Sequence, residues 1–112
     1  MLDLKTLKCE ACQTGAPILT EEQIKQFMEL IPLWNIVEQE SIKKLERMFT
    51  FKDFKQTLSF VNRIGEIAEE NGHHPLLLVG YNQLIVWWWT HKINGLHQND
   101  FIMAAKIDGL VV

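Results

Sequence analysis

The sequence has little of three features that quickly assign a protein to a class: cysteine, an excess of positive charge, and long apolar runs. Its 112 residues include two cysteines, and 11 Lys and Arg stand against 14 Asp and Glu, so the formal net charge is -3 and the isoelectric point about 5.8. Such a balance provides no basic footprint for nucleic acid. No apolar run reaches the roughly 18 residues of a membrane-spanning helix, and the polar N-terminus does not lead into a signal-peptide core. We therefore expect a cytoplasmic protein that binds neither nucleic acid nor membrane.

The two cysteines, Cys9 and Cys12, are separated by two residues. A zinc site with this spacing usually needs a second pair of ligands, and the sequence has no further cysteine to supply it. A redox pair is expected between a strand and a helix, whereas this pair lies in an irregular segment that ends near Pro17. We expect no chemistry from these cysteines.

The composition, with 47% hydrophobic and 22% charged residues, is that of a globular protein. A chain of this length can bury one core but not two. Residues 1–19 show no sustained hydrophobic period, which predicts an N-terminal arm followed by a single domain over residues 20–112.

Three segments have the period and the end signals of helices. Thr20 begins a capping box, and a helical apolar period follows it until Pro32. Asp53 is a good N-cap for a second helix, which Gly72 should end. A third helix should end near Gly109. The predicted apolar stripe of the second helix is Phe54, Leu58, Val61, Ile64 and Ala68.

Strand patterns lie between these helices. Residues 34–37 and 42–51 read as two strands with a turn at 39–41, and residues 76–81 and 84–90 read as an apolar hairpin with Asn82 and Gln83 as its turn. The order is α-β-β-α-β-β-α. The predicted fold class is α+β, a four-stranded antiparallel sheet with three helices on one face.

The hairpin has clusters of histidines at both of its ends. His73 and His74 precede it, and His91 follows it. With Asn82 and Gln83 as the turn, Leu76 faces Trp89 and His74 faces His91, with Cβ atoms about 4.5–5.5 Å apart. A slip of one residue would bring His73 opposite His91 instead.

The last strand is apolar on both faces, whereas a sheet covered on one side should alternate. We therefore expect its second face to be covered by a ligand or a second subunit, or alternatively by the N-terminal arm. One face carries Ile85, Trp87 and Trp89, and the other carries Leu84, Val86 and Trp88.

Histidine is the side chain best suited to donate and accept protons near neutral pH. Pro75 restricts the backbone of His74 to extended conformations, which favours a fixed imidazole. Three histidines can also bind zinc. However, His73 and His74 are adjacent in an extended segment and point to opposite faces, so metal binding is the less favoured interpretation.

Three further residues near the histidines are open to two interpretations. Glu69, near the end of the second helix, can orient an imidazole or be a solvated charge. Asp100 suits the N-terminus of the third helix, where the dipole favours a negative charge. His97 lies near the same helix end and can cap it.

Together these residues resemble the signature of the pterin-4a-carbinolamine dehydratase family. The resemblance covers residues 20 to about 108. Members commonly have Thr or Ser where this chain has His97, and the form found here resembles a bacterial branch. The residues that carry the resemblance are Trp34, Phe51-Lys52-Asp53-Phe54, Glu69, His73-His74-Pro75, Tyr81-Asn82, Thr90-His91, Gly95-Leu96 and Asp100.

The resemblance implies dehydration of a 4a-hydroxytetrahydropterin to the quinonoid dihydropterin in pterin recycling, without metal or organic cofactor. It implies acid-base roles for His73 and His91 and a pterin-holding role for His74. The supporting residues would be Glu69, Pro75, Asp100 and Trp89.

The resemblance also implies partners for the chain. It implies a homo-oligomer, either a dimer or a tetramer, and an aromatic amino-acid hydroxylase as a possible partner. The alternative function is that of a regulatory module that binds a hydroxylase or a transcription factor.

Overall fold

The computed structural model describes residues 4–6 and 18–111. Both cysteines and most of the predicted arm lie outside these residues, so the arm and the domain boundary remain predictions. Leu4–Thr6 forms a short 3₁₀ helix, and Leu4 joins the core. The main elements follow the predicted order: α1 (Glu21–Met28), β1 (Asn35–Gln39), β2 (Ile42–Thr50), α2 (Phe54–Asn71), β3 (Leu76–Val79), β4 (Gln83–Trp88) and α3 (Gln98–Asp108).

The helix ends lie close to where the sequence signals predicted them. Thr20 and Gln23 form a complete capping box, and the Asp53 side chain accepts a hydrogen bond from the Gln56 amide at 2.9 Å. Gly72 caps α2 in the left-handed region at φ 62°, a conformation that glycine adopts without strain. Within the described residues, no helix is long and apolar enough to cross a membrane.

The four strands form one antiparallel sheet in the order β1-β2-β4-β3. Glu40 and Ser41 connect β1 and β2 at φ 54° and 64°, the positive values that a tight hairpin turn requires. The predicted α+β class and the antiparallel sheet are confirmed.

The predicted register of the β3–β4 hairpin is wrong by two residues along β4. Leu76 pairs with Trp87 rather than Trp89, because the turn is centred on Tyr81 and Asn82 instead of Asn82 and Gln83. Gly80 donates to the Gln83 carbonyl at 2.7 Å. Contacts from outside the hairpin hold this turn.

Two hydrogen bonds from other elements fix the hairpin tip. The Phe51 amide donates to the Asn82 carbonyl at 2.8 Å, and the Thr57 hydroxyl donates to the Tyr81 carbonyl at 2.9 Å. Since these donors lie directly after β2 and within α2, the sequence of the hairpin alone does not specify its register.

One face of the sheet packs against the helices and forms the core. Trp88, Leu84 and Val86 are fully buried there, together with Leu45 of β2. The other face is open within the described residues, where Met48 is 55% exposed. The strand β4 is therefore apolar on both faces, as predicted, with only one of them covered by the helices.

The buried face of α2 differs from the predicted stripe. Phe54 and Leu58 are exposed, whereas Thr57 and Phe60 are buried in their place. The hydroxyl of the buried Thr57 lies 2.9 Å from the Asp53 carbonyl as well as from the Tyr81 carbonyl, so its one hydrogen is shared between two acceptors. The Phe60 ring packs 5.0 Å from that of Phe49, so the first half of the helix is rotated relative to the prediction.

Candidate active site

His73 is positioned by the C-terminal cap of α2. After the left-handed turn at Gly72, the His73 amide donates back to the Ala68 carbonyl at 3.2 Å. The chain is thereby turned away from the helix axis before β3 begins at Leu76. The end of α2 thus fixes the backbone position of His73.

The His73 imidazole is bonded to a buried carboxylate at the start of α3. Its Nε2 lies 2.6 Å from Oδ1 of Asp100, which has no solvent-exposed surface. The other carboxylate oxygen, Oδ2, accepts from the Thr90 hydroxyl and from the His97 amide, each at 2.9 Å. An ionised carboxylate only accepts hydrogen bonds, so His73 Nε2 carries the hydrogen and Nδ1 remains an acceptor in the neutral ring.

An aromatic contact fixes the orientation of the same imidazole. The His73 ring is stacked on the Trp88 indole with centroids 5.5 Å apart and an interplanar angle of 8°. Because Trp88 is fully buried in the core, it is a rigid support and has no surface with which to contact a substrate. His73 is therefore held by a hydrogen bond and by a stacked ring.

His74 has a different partner and a different exposure. Its Nε2 lies 3.4 Å from Oε2 of Glu69, and the two side chains are 59% and 80% exposed. Glu69 therefore lies beside His74, while Asp100 is bonded to His73. An exposed ion pair of this kind contributes little to the stability of the fold.

An open groove borders His74 between α2 and β3. Glu69, Pro75 and Leu77 contribute to its walls, and half-buried Pro75 forms the step from α2 to the hairpin. A ligand in this groove would meet His74 and Glu69 from the solvent side.

His91 lies in the loop that follows β4. Thr90 and Gly95 close this loop, with the Thr90 amide donating to the Gly95 carbonyl at 2.9 Å. The exposed His91 ring lies 4.4 Å from the ring of Trp89, at an angle of 38°. Trp89 is half-buried, whereas Trp88 is fully buried.

The predicted facing pair of His74 and His91 does not form, because the hairpin register differs from the prediction. Within the described residues, His73 contacts Asp100 and Trp88. His74 contacts Glu69, and His91 contacts Trp89, so the three imidazoles contact other side chains rather than one another.

Two further predictions at the site can be compared with the structure. His97 does cap α3, since its Nδ1 accepts from the Asn99 amide at 3.0 Å. Asp100 lies at the N-terminus of α3, as predicted, and completes the capping box there; its bond to His73 was not predicted.

Sequence reasoning gave no role to Thr90 or Lys44, which contact Asp100 and Trp89 respectively. The position of Thr90 directly before His91 could have indicated a role at the site. Nothing in the sequence indicated one for Lys44, because it is distant from Trp89 in the chain and lies on a different strand.

The described residues contain no group of three or more His, Cys, Asp or Glu side chains arranged to hold a metal ion. The site instead combines a buried Asp–His pair with two accessible histidines. The fold and the site thus define a class: an α+β protein of four antiparallel strands and three helices, with one partly buried and two exposed histidines around the ends of its last hairpin.

Comparisons with known proteins identify the family. The family model of pterin 4 alpha carbinolamine dehydratase matches residues 17–110. A Nitrosococcus oceani protein, provisionally named a pterin-4-alpha-carbinolamine dehydratase, is 49% identical over 111 residues, which is 99% of this chain and 98% of that protein. The chain therefore belongs to the pterin 4 alpha carbinolamine dehydratase family.

Solved structures show the same fold. The crystal structure of a transcriptional coactivator/pterin dehydratase from Brucella melitensis matches with a TM-score of 0.77 and 28% identity, covering 86% of this chain and all of that one. A pterin dehydratase-like protein described as a RuBisCO assembly factor in the alpha-carboxysome matches with a TM-score of 0.59 and 23% identity, covering 69% of this chain and 87% of that one. The second likeness shows the fold alone.

Proposed function

We propose that this protein dehydrates a 4a-hydroxytetrahydropterin to the quinonoid dihydropterin and water, as a step of pterin recycling in the cytoplasm. The observation that carries the proposal is the pairing of His73 with the buried Asp100, in a chain that belongs to a dehydratase family. A carboxylate that has no contact with solvent and accepts three hydrogen bonds is well suited to hold an imidazole in one tautomer.

The reaction needs one acid and one base. The bond between C4a and its hydroxyl oxygen breaks, the oxygen leaves as water after gaining a proton, and the proton on N5 is removed as the N5–C4a double bond forms. Two imidazoles can carry out both transfers. We assign them to His73 and His91.

The tautomer of His73 supports this assignment. With Nε2–H donated to Asp100, the Nδ1 lone pair of the neutral ring is available to take a proton. His91 is exposed and can exchange protons with solvent between turnovers. A substrate used by both would lie near the end of β4, where Trp88 and Trp89 support the two rings.

We assign substrate binding to His74, with Glu69 and Pro75 beside it in the groove, and a supporting role to Trp89, whose ring contacts that of His91. His74→Ala should then raise KM more than it lowers kcat, because it removes binding rather than proton transfer. An equal loss of kcat and of kcat/KM would instead place His74 among the acid-base groups.

The proposed chemistry uses neither metal nor organic cofactor. The test is a stopped-flow ultraviolet assay of 4a-hydroxytetrahydropterin dehydration with the purified protein, with and without chelator. We expect acceleration over the uncatalysed rate that chelator does not change. Loss of activity with chelator, restored by added metal, would contradict the histidine mechanism.

We further propose that the chain forms a homo-oligomer, a dimer or a tetramer, through its sheet. The open sheet face and the edge strand β3 carry exposed apolar side chains, Met48, Leu76 and Leu78 among them, and large exposed apolar patches mark interfaces. Sedimentation at micromolar concentration should show more than one chain per particle. Leu78→Asp should shift the sedimenting species toward the monomer. Glu22→Lys, at an exposed position on α1, should not. A monomeric wild-type protein would contradict the proposal.

The rival function is a regulatory module that binds an aromatic amino-acid hydroxylase or a transcription factor and whose site has lost turnover. The observation in favour of this function is the similar Brucella melitensis protein, which is described as a transcriptional coactivator/pterin dehydratase. The stopped-flow assay separates the two, since a pure binding module would not accelerate dehydration.

A further inference from the structure

Lys44 is a buried lysine that the proposed chemistry does not use. It lies on β2 with only 7% of its surface exposed, although lysine is rarely buried unless it is paired. The ion pairs of the described residues do not include it. Its ammonium group instead donates to the Gln39 side-chain oxygen at 3.1 Å.

The second partner of this ammonium group is an aromatic ring of the candidate site. Lys44 Nζ lies over the Trp89 indole, 4.0 Å from the ring centroid. A cation over the face of tryptophan is attracted by the ring quadrupole, and the attraction is stronger when the cation is desolvated. The burial of Lys44 therefore strengthens the contact that holds the indole in place.

The Trp89 indole in turn contacts His91. The centroids of the two rings lie 4.4 Å apart, where the chain leaves β4 and enters the loop. Within the described residues, the His91 imidazole has no side-chain hydrogen bond, so the indole is the support that the structure gives this exposed ring. A continuous row of contacts thus runs from β2 to the loop after β4, through Lys44, Trp89 and His91.

We propose that Lys44 is a positioning residue for His91 and acts through Trp89. The cation restrains the indole, and the restrained indole limits the orientations of the His91 imidazole. His73 obtains the same restraint differently, from Asp100 and Trp88. The effect on catalysis rests on the proposed acid-base role of His91, whereas the effect on the orientation of the ring does not.

The test compares Lys44→Met, which keeps an unbranched stem without the charge, with Lys44→Arg, which keeps a cation. Lys43→Met is the matched control, because Lys43 is the exposed neighbour on the same strand. The readout is the set of imidazole C–H signals in a ¹H–¹³C NMR spectrum. The His91 signals should be shifted by the Trp89 ring current, and Trp89→Leu should remove that shift and identify them.

In Lys44→Met the ring-current shift of His91 should shrink, while Lys44→Arg and Lys43→Met should retain it. The signals of His73, which is stacked on Trp88, report whether the fold is intact and should not move. An unchanged His91 shift in folded Lys44→Met would overturn the proposal. A shift lost equally in Lys43→Met would also overturn it.

Turnover provides a second measurement. Lys44→Met should lower kcat about threefold to tenfold with KM nearly unchanged, the size of effect that a single cation–π contact permits, and Lys44→Arg should restore it. If His91→Ala proves fully active while the NMR result holds, the acid-base assignment of His91 fails and the positioning of its ring stands. If His91→Ala is inactive but Lys44→Met alters neither kcat nor the NMR signals, the positioning proposal fails while the acid-base assignment of His91 stands.

Discussion

Replacing Asp100 with asparagine would test how the buried carboxylate controls His73. Both donors to Oδ2, the Thr90 hydroxyl and the His97 amide, lie 2.9 Å away. The His97 amide can only donate, so the asparagine oxygen should take the Oδ2 position and the NH₂ group the Oδ1 position. That NH₂ group would then face His73 Nε2. The imidazole must move its hydrogen to Nδ1, and the lone pair proposed to act on substrate is lost.

The expected loss of turnover is large and the loss of stability is modest. A proton-transfer group contributes about 10²–10⁴-fold, and an Asp→Asn change that fixes the wrong histidine tautomer falls at the upper end of that range. The three hydrogen bonds persist but lose the assistance of the charge, about 1 kcal/mol each. Removal of a buried charge offsets part of this sum. We expect a net loss of about 1–3 kcal/mol in the free energy of unfolding.

Stopped-flow turnover and urea denaturation of the same preparation separate these two effects. Asp108→Asn is the matched control, because Asp108 lies at the other end of α3 and accepts hydrogen bonds from Trp34 and Arg47, away from the histidines. It should lower stability but leave kcat unchanged. Wild-type kcat in folded Asp100→Asn would refute the reasoning, as would an equal loss of kcat in the Asp108 variant.

Further predictions concern the proposed acid-base histidines, Thr90, and the glycines within and at the end of α2. His73→Ala and His91→Ala should each lower kcat by about 10²–10⁴-fold with the fold intact, and wild-type rates in both variants would refute the acid-base assignment. Thr90→Val should cost about 1.5–3 kcal/mol of stability, because it removes a hydrogen bond to a buried charge; urea denaturation should show Thr90→Ser to be closer to wild type. Gly72→Ala should cost about 1–2 kcal/mol, since φ is 62° and no neighbouring atom would obstruct the added Cβ. Gly65→Ala, in the middle of α2 and also in open space, should stabilise by about 0.5–1 kcal/mol, and the same sign for both glycines would contradict the conformational argument.

The order of elements and the ends of the helices could be read from the sequence because the signals that specify them are local. A cap joins residues about three positions apart, as Asp53 and Gln56 do. Gly72 likewise ends α2 through its own backbone conformation. These interactions form wherever the segment is helical, whatever the rest of the chain does. The histidine clusters were visible for a similar reason, since His73 and His74 are adjacent.

The hairpin register and the buried face of α2 could not be read from the sequence, because distant groups decide them. The hydroxyl of Thr57 and the amide of Phe51 hold the tip of the hairpin, and this moved the turn to Tyr81 and Asn82. The same bond helps to bury Thr57, whereas apolar Phe54 remains exposed. Hydrophobic periodicity assigns apolar residues to the core. It does not predict that a threonine will be buried where carbonyl groups accept its hydrogen bond.

The partner of His73 was decided by tertiary structure alone. The sequence supplied a histidine and, 27 positions later, an aspartate that looked like an ordinary helix-end charge. Only the packing of α3 against the sheet removes Asp100 from water and brings it within 2.6 Å of His73. The strand pairing of β2 with β4 brings Lys44 over Trp89 in the same way. The sequence by itself determined which groups are present and which local structures carry them, whereas burial and distance, which set the strength of a charge and the tautomer of an imidazole, exist only in the folded chain.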